Sequence, residues 1–192
     1  MTKIVVNLIG GPCCGKSTIA SELFSRLKKM GIKCELNVEF IKDKIYQEEN
    51  QIINDQILLF ANQLFKIKTK LDKVDIVISD GTLLNNIIYN KENNKELNSL
   101  VIAEYFKFNN LDFFLERGTL PFENYGRIHT LDESLKLDQE IKDLYNTCNA
   151  KYISIDSRDA VDKIIPIILK NIGENNEMYY WIYLKNYYIL YV

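Results

Sequence analysis

Gly10-Gly11-Pro12-Cys13-Cys14-Gly15-Lys16-Ser17 spells G-x-x-x-x-G-K-S directly after the largely apolar run Ile4 to Ile9. A buried strand, a glycine-rich loop and an amphipathic helix in that order constrain the fold more than any other stretch of the chain. Gly10 and Gly15 let the backbone wrap closely around an anion. The helix that follows offers N–H groups and the positive end of its dipole to the same anion. The pattern reads as a cradle for the phosphates of a nucleoside triphosphate, with ATP and Mg2+ as the expected cofactors. Lys16 is placed to reach the β- and γ-phosphates. Ser17 is placed to offer its hydroxyl to a magnesium ion bridging them. Gly11, Pro12, Cys13, Cys14, Gly15 and Thr18 complete the expected nucleotide-binding stretch.

The 192 residues suit one domain, large enough to bury roughly 70% of its unfolded surface. With 24 basic and 26 acidic residues the formal charge is −2, so no global basic field exists to hold duplex nucleic acid. A local basic groove remains compatible with that balance. Met1-Thr2-Lys3 leads straight into the first strand, and no apolar stretch is long enough to span a bilayer. The expectation is a cytoplasmic protein without a membrane partner. Cys13, Cys14, Cys34 and Cys148 lack metal-ligand spacing, and a disulfide inside the loop would distort it. They are expected to be reduced and structural, with Cys14 a candidate oxidation-sensitive thiol beside bound phosphate.

Beyond the loop, Ile19, Leu23, Phe24 and Leu27 recur at helical spacing until Gly31. A second strand over Lys33 to Val38 ends at Glu39, followed by a short helix through Ile41 and Ile45 and a longer one from about Gln51 to Leu71. Val74 to Asp80 is a third strand ending on a carboxylate. A helix over Glu96 to Phe106, a fourth strand over Leu111 to Leu115 and a helix over Leu131 to Tyr145 follow. The fifth strand, Tyr152 to Ile155, precedes a final helix over Ala160 to Ile172. Gly118 to Thr130 lacks periodicity and is the candidate lid. This alternation predicts a parallel sheet covered on both faces, with ligands at the carboxyl ends of the strands, where Gly10, Glu39, Asp80, Arg117 and Asp156 lie. The domain is placed at 1–175. In the tail 176–192, apolar runs flank Lys185-Asn186 and read as a hairpin that packs on the domain or forms a homodimer interface.

Asp80 is the natural acidic partner of Ser17 at the magnesium, against the alternative of a helix cap. Glu39 is a candidate for accepting a hydroxyl proton or positioning an acceptor, or else a surface glutamate opening the next helix. Gln56, Leu59, Phe60 and Gln63 share one helix face, so the two glutamines would flank Leu59 and Phe60 over a planar acceptor such as a nucleobase. A partly solvated helix edge is the plainer reading. Arg117 and Arg127 are two of only four arginines and are candidates for neutralising charge on a transferring phosphoryl group, against the alternative of a surface salt bridge for each. Arg158, in Asp156-Ser157-Arg158, is placed to line the nucleotide base, and His129 reads as a solvated lid residue.

Gly10 to Ser17, Glu39 and Asp80 together resemble the P-loop nucleoside and nucleotide kinase superfamily over approximately residues 3–172. That resemblance implies a three-layer α/β P-loop NTPase fold with a five-stranded parallel sheet in the order 2-3-1-4-5. Asn37 to Asp43, Asp55-Gln56, Ser79-Asp80-Gly81 and Tyr125-Gly126-Arg127 are similar to phage kinase-like proteins often labelled AAA-family ATPases. It further implies that Glu39 serves the acceptor hydroxyl, Asp80 the magnesium, Arg117 and Arg127 the phosphates, and the loop Asp156 to Arg158 the adenine. Two departures stand out. Gly81 occupies the place where deoxynucleoside kinases usually carry arginine, and the sensor region and separate helical lid of a ring-forming AAA motor are lacking. The leading expectation is an ATP- and magnesium-dependent phosphotransferase acting on a nucleoside, a nucleotide or a related hydroxyl. The alternatives are the same transfer to modified pyrimidines in DNA, and a hydrolytic switch without a small-molecule acceptor.

Overall fold

The computed structural model describes residues 2–38, 55–118 and 130–172. The first strand, β1 (Ile4–Ile9), is buried along its whole length and feeds α1 (Lys16–Lys29) through the phosphate loop. The chain continues through β2 (Cys34–Asn37), α2 (Gln56–Leu71), β3 (Ile76–Asp80), the single turn α3 (Asn85–Ile88) and α4 (Lys95–Tyr105). It closes with β4 (Asn110–Glu116), α5 (Leu131–Thr147), β5 (Ile153–Asp156) and α6 (Ala160–Ile172).

All neighbouring strands run parallel, and the five lie in the order β2-β3-β1-β4-β5. This is the P-loop NTPase arrangement. Parallel pairing requires crossovers that return over the sheet, and successive side chains of a strand point to opposite faces, so both faces must be covered. On one face α1 and α6 lay Ile19, Leu23, Leu27, Ile164, Ile165 and Ile168 against Val6, Leu8, Ile78 and Phe113. On the other, Phe60 and Ile67 of α2, Val101 and Tyr105 of α4, and Ile141 and Tyr145 of α5 pack on Val5, Ile9 and Phe114. The register sets Leu8 opposite both Asp80 and Phe113, so β1, β3 and β4 deliver their carboxyl ends to one edge.

Local signals decide where elements begin and end. Asp55 caps α2, its Oδ1 accepting the Leu58 N–H at 2.9 Å, so the described helix starts at Gln56. Thr130 and Glu133 form a reciprocal capping box at the start of α5. Gly31 adopts φ 78° after α1, and Ile32 N–H bonds back to Leu27 O at 3.0 Å. That left-handed turn is the usual glycine exit from a helix. The apolar stretch after Gly81 forms only one helical turn, and β3 begins two residues later than Val74. The expected helix through Ile41 and Ile45, the lid residues 119–129 and the tail 176–192 lie outside the described residues. Among those described, no helix is long and apolar enough to cross a membrane.

Candidate functional site

Gly10 leaves β1 with φ 140°, and a Cβ there would lie 2.8 Å from Cys14 Sγ. The loop therefore closes on itself only with glycine at that position. Gly15, at φ 89°, is the N-cap of α1 and supplies no side-chain bond, so the first-turn N–H groups point out of the helix without a side-chain cap. Cys13 holds φ 63° despite its side chain. A left-handed non-glycine residue costs about 1 kcal/mol, a strain the surrounding loop must hold in place.

The Lys16 ammonium lies across this loop and donates to the carbonyl oxygens of Gly10 and Gly11, each at 2.7 Å. Ser17 Oγ donates to Asp80 Oδ2 at 2.5 Å. Asp80 reaches that position because Gly81 turns sharply at φ 107° and its N–H bonds Leu8 O at 3.0 Å, tying the end of β3 to the end of β1. Asp80 is 5% exposed, and its Oδ1 is buried without a hydrogen-bond partner among the described residues. The Ser17 hydroxyl and the Asp80 carboxylate, with its unsatisfied Oδ1, are hard oxygen donors, the chemistry Mg2+ takes. Among the described residues no group of three or more His, Cys, Asp or Glu side chains gathers around a metal position.

The opposite wall of the loop comes from β4 and α5. Arg117, directly after β4, donates to Pro12 O at 2.5 Å, to Ser134 Oγ at 2.6 Å and to Asp138 Oδ2 at 3.1 Å. Ser134 Oγ donates to Pro12 O at 2.8 Å, and Asp138 Oδ1 accepts the Gly11 N–H at 2.5 Å. The Arg117 and Asp138 side chains are only 9% and 16% exposed, so their attraction is little screened by water. Ser134 and Asp138 are functional candidates that the sequence reading missed. Their signal was there. They stand four apart, with Ile141 and Tyr145 continuing the same buried stripe of α5.

Ser157, after β5, donates to Cys14 O and Glu116 O, both at 2.8 Å, and ties the loop to the far strands. Beside it, Arg158 grips Asp156 through Nε at 3.0 Å and Nη2 at 2.6 Å. The guanidinium holds the Asp156 carboxyl down at about 2. Arg158 is thus an exposed rim residue engaged with its own carboxylate. Cys14 is fully buried in the core, which removes the exposure that an oxidation-sensitive thiol requires. Cys13 is half-buried, Thr18 is exposed, and all four cysteines are free thiols.

On the other side of Asp80 lies a second cleft, lined by Asn37 at the end of β2 and Val38 after it, by Gln56, Leu59 and Gln63 of α2, and by Asn85 and Asn86 of α3. Gln56 and Gln63 face it as their helical spacing predicts. Phe60 does not. It is 3% exposed and packs in the core under α2, because one residue advances the helix by about 100° and turns position 60 toward the sheet. Leu59 supplies the apolar wall instead. Glu39, Arg127 and His129 lie outside the described residues.

A family model described as an AAA domain matches residues 5–163. No curated protein matches the chain significantly.

Proposed function

This chain belongs to the AAA-domain family and is a P-loop nucleotide-binding protein, and from that premise we propose that it is an ATP- and magnesium-dependent phosphotransferase. Its acceptor is the hydroxyl of a nucleoside, a nucleotide or a related compound. The observation that carries this reading is the position of Asp80. The carboxylate bonds Ser17 of the phosphate loop and also lines a separate, amide-rich cleft. Hydrolysis needs only water beside the γ-phosphate, whereas transfer needs a second binding site that abuts the first.

In this reading the first-turn N–H groups of α1 and the Lys16 ammonium compensate the phosphate charge, and Ser17 and Asp80 would hold the ion. Bound Mg2+ would neutralise negative charge on the β- and γ-phosphates. Arg117, after β4, braces the loop through the Pro12 carbonyl. Glu39 is the proposed partner of the acceptor hydroxyl, and Arg127 a proposed phosphate contact.

The test is transfer of label from γ-labelled ATP with Mg2+ to nucleosides, nucleoside monophosphates and DNA bearing modified pyrimidines. One acceptor class should take label, and Lys16→Ala should lower the rate by about a hundredfold or more, as expected for removing a charge that stabilises the transition state. Label appearing only as free phosphate would overturn the transferase reading in favour of a hydrolytic switch.

A further inference from the structure

The polar wall of the acceptor cleft has a direction, and a backbone carbonyl sets it. Asn86 is 7% exposed, and its Nδ2 donates to Leu83 O at 2.8 Å and to Gln63 Oε1 at 2.9 Å. A peptide carbonyl can only accept, so the Asn86 atom that faces Leu83 must be the amide nitrogen. The second hydrogen of that nitrogen then requires an acceptor, which turns Gln63 so that Oε1 faces Asn86. The alternative orientation would set donor against donor in a buried contact. Gln63 Nε2 is left pointing away from Asn86, with no partner among the described residues, on a side chain that lines the cleft. Gln63 therefore enters the cleft as a donor, although a glutamine amide is in principle ambivalent.

We propose that Asn86 is a positioning residue that fixes Gln63 as a hydrogen-bond donor to the acceptor. The cleft then takes flat heterocycles that present an exocyclic carbonyl to Gln63 and rejects those that present an exocyclic amine. Leu59 offers the apolar surface on which such a ring can lie. An amine at that edge would meet the Gln63 amide N–H, setting donor against donor where a carbonyl would accept. A site built to donate one hydrogen bond discriminates strongly against a ligand that cannot accept it. This inference rests on reading the cleft as the acceptor site.

The test is calorimetric binding to the full chain, in Mg2+ and a non-hydrolysable ATP analogue, of two pairs of probes: uridine against cytidine, and inosine against adenosine. Within each pair the carbonyl nucleoside should bind about tenfold or more tightly. Gln63→Glu converts the donor into an acceptor while Asn86 still holds one of its oxygens, so the preference should invert. Asn86→Leu leaves Gln63 in place but frees its amide to turn, so the preference should shrink to about threefold or less. Should Asn86→Leu fail to fold, the half-buried Gln63→Glu variant decides alone.

An amine preference in the wild type, an unchanged preference in Gln63→Glu, or no binding of any of the four probes would overturn the proposal. Binding is read without turnover, which separates the two claims. A retained carbonyl preference without phosphoryl transfer would remove the transferase reading alone. Transfer that ignores the exocyclic group would remove this one alone.

Discussion

Asp112 is a carboxylate buried in the interior. It lies 3% exposed within β4 and accepts from Asn7 Nδ2 at 2.6 Å, from Tyr105 OH at 2.8 Å and from Tyr145 OH. Burial pushes its carboxyl up to about 6, against the opposing pull of these three donors. The same burial raises both tyrosine hydroxyls, which stay neutral near neutral pH, whereas Asp112 keeps its proton only below about pH 6. A folded value above the unfolded one means that the native state retains a proton which the unfolded chain has released. The resulting stabilisation is complete below about pH 4 and is lost as pH rises through about 6, a change of roughly 2–3 kcal/mol. Urea unfolding of the wild type and Asp112→Asn between pH 4 and 7.5 should show this in the difference between the two proteins. A difference that stays flat across the interval would mean that Asp112 ionises in the folded state as it does in water.

At the scale of elements, α5 sets the shape of the phosphate loop. A Cβ on Gly11 would lie 2.5 Å from Ser134 O and 2.7 Å from Ser134 Oγ, whereas a Cβ on Gly31 meets nothing within 4 Å. The two glycines therefore separate crowding from backbone strain. Gly11→Ala must push α5 off the loop, disturbing the Arg117 and Asp138 contacts, and should cost about 1–3 kcal/mol together with nucleotide affinity. Gly31→Ala should cost about 1–2 kcal/mol through its left-handed backbone alone, with nucleotide affinity unchanged. Chemical denaturation paired with nucleotide titration checks both, and equal affinity in the two variants would refute the role given to α5. This contact also shows what a sequence hides. The loop was legible because its chemistry sits in eight contiguous residues, Gly10 to Ser17. Asp138 reaches Gly11 across 127 residues of chain, and no local spacing announces that pairing. Leu59 and Phe60 differ by one position, and only the place of the sheet decides which of them faces the cleft. Gln63 was legible as a pocket residue, but its polarity depends on Asn86 and the Leu83 carbonyl, set by the turn after β3.

Across the whole molecule, alternating strands and helices predicted a parallel sheet, but alternation alone is silent on strand order, which came from the resemblance to P-loop kinases. The physical reason is that order depends on which crossovers pack on which face, a tertiary matter. The observed order puts β1 at the centre, and the loop it feeds is bonded to the ends of β3, β4 and β5 and to α5. Ser17 joins it to β3 through Asp80, Arg117 joins it to β4, Ser134 and Asp138 to α5, and Ser157 to β5. A ligand seated in such a loop binds only when these elements are assembled, so its binding free energy adds to global stability rather than to a local segment. MgATP at about 100 times its dissociation constant should contribute about 2.7 kcal/mol, a rise in Tm of roughly 5 °C or more for a domain of this size. Lys16→Ala removes the charge that meets the phosphates while sparing the hydrophobic layers, so it should keep most of the unliganded Tm and lose most of the rise. Differential scanning calorimetry with and without MgATP measures both quantities. A wild-type Tm that does not respond would show that the loop is uncoupled from the fold, and a full response in Lys16→Ala would show that the nucleotide binds elsewhere.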